Sequence, residues 1–244
     1  MKHALALLLL SAALLCGCAN QNVNTDLVPE LSPRSLYAAA TNYMADGQWV
    51  RARQYLEAMD QRFPFGELSE QVQLNLIYVY YKSRESDLAA AQINRYQRLS
   101  PTSQYIDYVI YMKGLNAIQK RGNILQEFVG LNRALKDPTE YYEALRLFRQ
   151  LLETYPHSAY APDARQRMLF IKEQLAQREL RIAQYYHERE AYLSSARHCQ
   201  TILFSYRDTH HLEEALELLR DNYEALGLDL PAIHTQRVID ASFD

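Results

Sequence analysis

Glycine and proline are scarce in this chain, with 7 and 8 among 244 residues. Alternating polar and apolar runs between turn signals are nearly absent as well. A sheet protein needs both, so strands are excluded as the main element. Charge of one sign is lacking too: the net value is −3, evenly spread, with no basic face interleaved with aromatics. That excludes nucleic acid as a partner. Cysteine is rare, and only Cys199 lies in the body of the chain, so no internal disulfide can staple the fold. Long apolar runs are missing except near the start. Catalytic signatures are missing throughout: no Gly-rich phosphate loop, no nucleophile elbow and no HExxH occurs.

What is there begins with an address. Lys2 and His3 precede an apolar run from Ala4 to Leu15. It is too short to cross a bilayer and has the layout of a secretory signal. It closes on Leu15-Cys16-Gly17-Cys18-Ala19, which resembles a bacterial lipobox with Cys18 as the lipid-bearing residue. Cys16 fits that role poorly, because bulky Leu15 would precede it. Residues 1–17 are therefore expected to be a signal peptide, with a covalent lipid on Cys18 as the only modification and no cofactor. Ala19 rather than Asp at the next position favours the outer membrane. Residues 18–32 are polar and Asn-rich and read as a flexible tether of at most about 50 Å. The chain is expected to be anchored to a membrane by lipid and not to span it.

The body is expected to be all-α. Ala, Leu, Gln, Glu and Arg dominate, and apolar residues recur at three and four. Three helical runs end in the same pattern, at Pro64, Pro101 and Pro156. Each carries a small residue (Ala52, Ala89, Ala144), a large apolar residue four later (Leu56, Ile93, Phe148) and another three after that (Met59, Tyr96, Leu151). That is the second helix and terminator of a tetratricopeptide repeat. About five such helix pairs are expected to stack into a superhelical α-solenoid.

Repeat one starts at Ser32-Pro33, an N-cap followed by proline at the first helical position. Gly47 turns its hairpin, and Trp49 packs at the start of the second helix. Repeat two lacks the turn glycine and has Arg84 to Ser86 there. Repeat three is interrupted by an insertion, residues 119–138, after which Asp137-Pro138 restarts a helix. The stretch from Pro162 to Glu190 reads as one long helix. Its latter half begins repeat four, completed by Ser195, Cys199 and Ile202, with Arg207 where proline should stand. Repeat five runs from His211, breaks at Gly227 and ends in a last helix from Pro231. Residues 33–118 form an N-terminal half and 139–244 a C-terminal half.

In this repeat type the first helices line the concave side. Register points Arg34, Tyr37, Thr41, Met44, Gln71, Leu74, Tyr78, Tyr81 and Lys82 outward there. Tyr, Met and Arg suit recognition of peptide segments. Tyr43, Tyr80, Tyr111 and Tyr186 read as packing, whereas Tyr37, Tyr78 and Tyr81 suit either binding or packing. In Arg62-Phe63-Pro64-Phe65-Gly66, Phe63 is expected to be partly packed and Phe65 more exposed, as a hydrophobic lip. No metal site emerges: His210 and Glu214 share a helix face but lack a third ligand. His198 and Cys199 point about 100° apart on a helix and form no dyad, and Cys199 reads as core.

Several strings carry a resemblance: DGQW (Asp46 to Trp49), RFPFG (Arg62 to Gly66), QVQL (Gln71 to Leu74), IYVYYK (Ile77 to Lys82) and IDYVIYMKGL (Ile106 to Leu115). With the lipobox and the repeats, the chain resembles the BamD family of outer-membrane β-barrel assembly lipoproteins, also called ComL or YfiO. The likeness is strongest over repeats one to three. It implies a non-catalytic lipoprotein on the periplasmic face of the outer membrane. Its C-terminal repeats would join the POTRA domains of BamA, with the lipoproteins BamC and BamE as further partners. Its N-terminal repeats would receive the aromatic-rich C-terminal signal of unfolded outer-membrane β-barrel proteins. Tyr37, Phe63, Phe65, Tyr78 and Tyr81 are the expected client contacts. Ser205-Tyr206-Arg207-Asp208 departs from the usual Tyr-Pro-Asp stop and leaves the BamA-contacting residues unassigned. A general periplasmic repeat adaptor recruiting envelope enzymes would share the lipobox and repeats, but not RFPFG or the insertion. A cell-wall-binding or lytic protein would need catalytic residues that the chain does not offer.

Overall fold

In a computed structural model, residues 28–120 and 137–243 are described. The signal segment, Cys18 and most of the insertion lie outside them. The described residues form ten helices and no strand: α1 (Pro33–Ala45), α2 (Trp49–Arg62), α3 (Ser69–Lys82), α4 (Ser86–Leu99), α5 (Ile106–Lys120), α6 (Thr139–Thr154), α7 (Ala161–His187), α8 (Tyr192–Ser205), α9 (Leu212–Ala225) and α10 (Asp229–Phe243). Each helix packs against the one before it and the one after it. This is the nearest-neighbour stacking of a helical-repeat array.

The repeat signature in the sequence is a packing signature in the fold. Ala52, Ala89 and Ala144 are fully buried, as are Leu56, Ile93, Phe148, Tyr96 and Leu151. Small residues let paired helices approach, and the large ones fill the space between layers. Helices α5 and α6 approach closely. A Cβ on Gly114 would sit 2.6 Å from Cε1 of Phe148, so only glycine fits beside that ring.

The helix ends follow from local chemistry. The Ser32 hydroxyl accepts the Ser35 amide at 3.3 Å, and Pro33 opens α1. The Asp137 carboxylate accepts both the amide and the hydroxyl of Thr139. Helix α6 thus begins one residue beyond the expected Pro138 start. Gly47 and Gly227 turn their hairpins at φ of 70° and 69°. Arg84 and Glu190 occupy the same left-handed position at 61° and 60°, at a strain that glycine avoids. Between repeats, Phe63, Ser100 and Tyr155 adopt φ near −130°, outside the helical region, as expected for a residue that precedes proline. Tyr206 adopts the same φ, −134°, without a following proline. There the Thr209 hydroxyl donates to the Tyr206 carbonyl at 2.7 Å and pins the stop.

The apolar interior is continuous through the middle of the stack. Its largest cluster runs from Leu74 on α3 to Ala215 on α9. A second fills repeats one and two, and a third lies among α7, α8 and α9. Leu74, expected on the concave face, is instead 4 % exposed and belongs to the large cluster. Its place on α3 turns it toward α5, whose Tyr108 hydroxyl lies 3.4 Å from the Leu74 carbonyl.

Candidate functional site: a row of tyrosines on the first helices

Tyrosines on α1, α3 and α5, joined by one at the start of α7, lie in two groups on the first helices, one of Tyr37 and Tyr78 and one of Tyr108, Tyr111 and Tyr160. On α1, Tyr37 is half-buried against the repeat-one core. Its hydroxyl accepts the Asn75 amide of α3 at 3.1 Å. Tyr78 lies one turn beyond Asn75 and meets Trp49 edge-on at 5.8 Å. The Lys82 ammonium stands over both rings, 5.1 Å from Trp49 and 5.9 Å from Tyr78. Such a cation holds the rings while staying hydrated.

The second group is centred on α5. Tyr108 and Tyr111 both contact Tyr160, the latter stacked at 4.8 Å and 18°. The Tyr111 hydroxyl donates to Asp163 at 2.6 Å, and Arg167 pairs with the same carboxylate. Tyr81 packs half-buried against the large core cluster, and its carbonyl accepts the Gln119 amide at 3.0 Å.

Burial shapes the electrostatics. It pushes the phenols of Tyr81, Tyr108 and Tyr160 up and takes that of Tyr111 to about 12. These phenols stay neutral at ordinary pH and can donate hydrogen bonds. Burial also opposes ionisation of Asp163, but hydrogen bonds from Tyr111 and Arg167 outweigh it and hold the carboxyl below its usual range. The row is therefore apolar in body, polar at its tips, and fixed in place before any partner arrives.

Of the expected contacts, Tyr37, Tyr78 and Tyr81 lie on the first helices of repeats one and two. Phe63 packs on the same core cluster as Tyr37. It also lines a cleft of about 320 Å³ with Met59, Leu68, Pro33 and Gly66. Phe65 is 97 % exposed and stands clear of the row. Sequence reasoning missed Tyr108, Tyr160, Asp163 and Arg167, and it read Tyr111 as packing alone. The signal that could have found them is register: Tyr108 and Tyr111 repeat on α5 the three-residue spacing of Tyr78 and Tyr81 on α3.

Several histidines have structural partners. His198 bonds Glu179 at 2.6 Å and stacks on Tyr186 at 5.7 Å. His187 bonds the buried Asn222 at 2.9 Å. The His210 amide donates to Glu173 at 3.1 Å. Cys199 is fully buried, and burial pushes its thiol up to about 12. Among the described residues no group of His, Cys, Asp and Glu is arranged to hold a metal. None of the described helices is long and apolar enough to cross a membrane.

Comparison with known proteins decides the family. A family model described as "YfiO: Outer membrane lipoprotein" matches residues 29–238. The chain belongs to the YfiO family. It is similar to the outer membrane protein assembly factor BamD of Vibrio cholerae serotype O1, with 39 % identity over 93 % of each chain. It is 33 % identical to the factor of that name from Neisseria meningitidis serogroup A, over 100 % of this chain and 92 % of that one. A third such factor, from Haemophilus influenzae, is 34 % identical over 97 % of this chain and 89 % of its own. Membership places this YfiO chain at the outer membrane, as a factor in protein assembly that works without catalysis.

Proposed function

We propose that this chain is a lipid-anchored component of the β-barrel assembly machinery, held on the periplasmic face of the outer membrane through Cys18. Its first helices receive the aromatic-rich C-terminal segment of unfolded barrel proteins. The observation that carries this reading is the set of half-buried tyrosines on the first helices, with Tyr37 and Tyr78 held by Asn75 and Trp49, and Tyr108 and Tyr111 held by ring contacts to Tyr160. An extended segment presents side chains to one face at every second residue. Rigid rings with polar tips offer slots for the aromatics and hydrogen bonds for the backbone, at little entropic cost.

In this reading Tyr37, Phe63, Tyr78 and Tyr81 contact the client. The C-terminal repeats, with Leu193, Phe204 and Leu230 exposed, face the assembly partners: the POTRA domains of BamA and the lipoproteins BamC and BamE. The function needs no cofactor beyond the lipid.

The test is binding of a synthetic peptide copying the last strand of an outer-membrane barrel. Alanine at Tyr37, Tyr78 and Tyr81 together is expected to weaken it at least about tenfold, the loss typical when anchor rings are truncated. Helicity should be unchanged. Full affinity in the triple variant overturns the assignment.

A further inference from the structure

The segment just before repeat one is held down. Arg62, the last residue of α2, donates from Nη1 to the Pro29 carbonyl at 2.9 Å and from Nη2 to the Val28 carbonyl at 2.8 Å. The Val28 side chain packs against the repeat-one core. Two parallel bonds from one planar guanidinium fix both direction and distance. Three residues beyond Arg62, on the loop that joins repeats one and two, stands Phe65. At 97 % exposed it is the most open large apolar side chain among the described residues. Leu31, 40 % exposed, follows the clamped pair.

We infer that this edge of the molecule rests on the lipid surface that holds the anchor, with Phe65 entering the membrane interface and Arg62 as the positioning residue that keeps it there. The inference rests on the reading of Cys18 as lipid-bearing. With Val28 clamped, only residues 19–27 separate the anchored cysteine from the folded body. Full extension gives a reach of about 35 Å, where a tether running to Ser32 would allow about 50 Å. The edge carrying Val28, Arg62 and Phe65 therefore cannot wander far from the headgroups.

Chemistry at that edge suits a lipid surface. Arg34 and Glu67 face each other at 3.7 Å, both open to water, so their charges offset each other at this edge. An apolar ring on a peripheral protein buries at the boundary between headgroups and acyl chains. One ring adds little by itself, but it acts beside acyl chains that already hold the protein down, and two such signals reinforce one another. Phe65 then orients the anchored body and presents the first helices at a fixed height.

The experiment uses the full acylated chain in vesicles of phosphatidylethanolamine and phosphatidylglycerol containing doxyl-labelled lipid. A nitrobenzoxadiazole probe is attached to Phe65→Cys and, in a second sample, to Phe204→Cys on α8, a site 78 % exposed. The fully buried Cys199 stays unlabelled in the native fold. Quenching at position 65 is expected to exceed that at 204 at least about threefold, as for a side chain at the acyl boundary. Arg62→Ala should bring the two sites closer together, and Arg62→Lys, which keeps the charge but not the fork, should fall between. Circular dichroism of each variant confirms that the repeats remain helical.

An acylated chain that floats with the vesicles but shows equal quenching at both sites overturns this inference alone. Quenching unaltered by Arg62→Ala overturns the clamp. A probe at 65 that answers a barrel-signal peptide but not the lipid assigns the loop to the client and overturns the membrane contact. A chain with no acyl mass on Cys18 that does not float overturns the anchor reading and this inference with it.

Discussion

The first two repeats and the last two solve the same packing problem with different materials. Repeats one and two leave rings half in water on one side: Tyr37, Tyr43, Trp49 and Tyr78 all lie partly exposed against an apolar core. Their second helices are cross-linked by charge, through Arg53 with Glu85 and Arg95 with Asp60. Repeats four and five enclose polar groups more completely, beyond the near-burial of Gln73 and Gln92 in repeat two. Asn222 and Ser195 are fully enclosed, and Glu179, Thr209 and Thr235 nearly so. Asn222 donates to the Ser195 hydroxyl and the Leu218 carbonyl and bonds His187. One end thus keeps its specificity on the surface, where a partner can read it. The other spends it inside, where it fixes how three helices meet.

The largest effect that separates the two ends is expected in alkali. Burial raises Tyr96 to about 12, and burial with the Asp163 hydrogen bond does the same for Tyr111, from an ordinary value of 10.0. Tyr80 and Tyr108 are raised as well, again chiefly by burial. A raised phenol stabilises the fold fully below pH 10, where neither state ionises. That contribution is lost as pH rises from 10 through about 12, because the unfolded chain releases its protons first. With Tyr81, five such phenols stand in repeats two and three, against Tyr206 alone in repeats four and five. Helicity in repeats two and three should fail before that of repeats four and five, with phenolate absorbance and circular dichroism moving together. A single concerted loss would erase the distinction.

Next in size is a matched pair of amides. Asn222→Ala leaves the partners on α7 and α8 unpaired in the interior and is expected to cost about 2–3 kcal/mol, whereas Asn75→Ala, which frees only the half-exposed Tyr37 hydroxyl, should cost about 0.5–1 kcal/mol. Urea unfolding of the two variants measures both. Equal losses would mean that the ends are not built differently.

The smallest effect concerns the hairpin turns. Arg84→Gly and Glu190→Gly each remove a left-handed strain and are expected to stabilise by about 0.5–1 kcal/mol, while Gly47→Ala should destabilise by a similar amount. Thermal unfolding gives the sign directly.

The same contrast explains what the sequence disclosed. Repeat boundaries were readable because proline and glycine announce them: Pro64, Pro101 and Pro156 at the stops, Gly47 and Gly227 at the turns. Where the position is held by another device, the signal is silent. Nothing in Arg84 or Glu190 advertises a positive φ, and Tyr206 reaches its stop through Thr209, not through a proline. The core residues at repeat positions were legible because a small-large-large spacing has one helical solution. Leu74 was misplaced because its helix is buried on more than one side, and periodicity then no longer tells inside from outside. The tyrosine row was half seen, since register gives direction but not the pairing across helices that joins Tyr111 to Tyr160 and Asp163. The Arg62 clamp was invisible: its acceptors are backbone carbonyls, which carry no side-chain signature.

The bare Cα at position 114 has a consequence for how this architecture can change. With the Phe148 ring pressed where a methyl would be, α5 and α6 are locked together at mid-helix. Residues can be added to or removed from the stretch that connects them without altering the pitch of the stack, because the two helices it joins are already registered by ring against backbone. Length there becomes free for selection to spend on new contacts, while the frame that carries it stays the same.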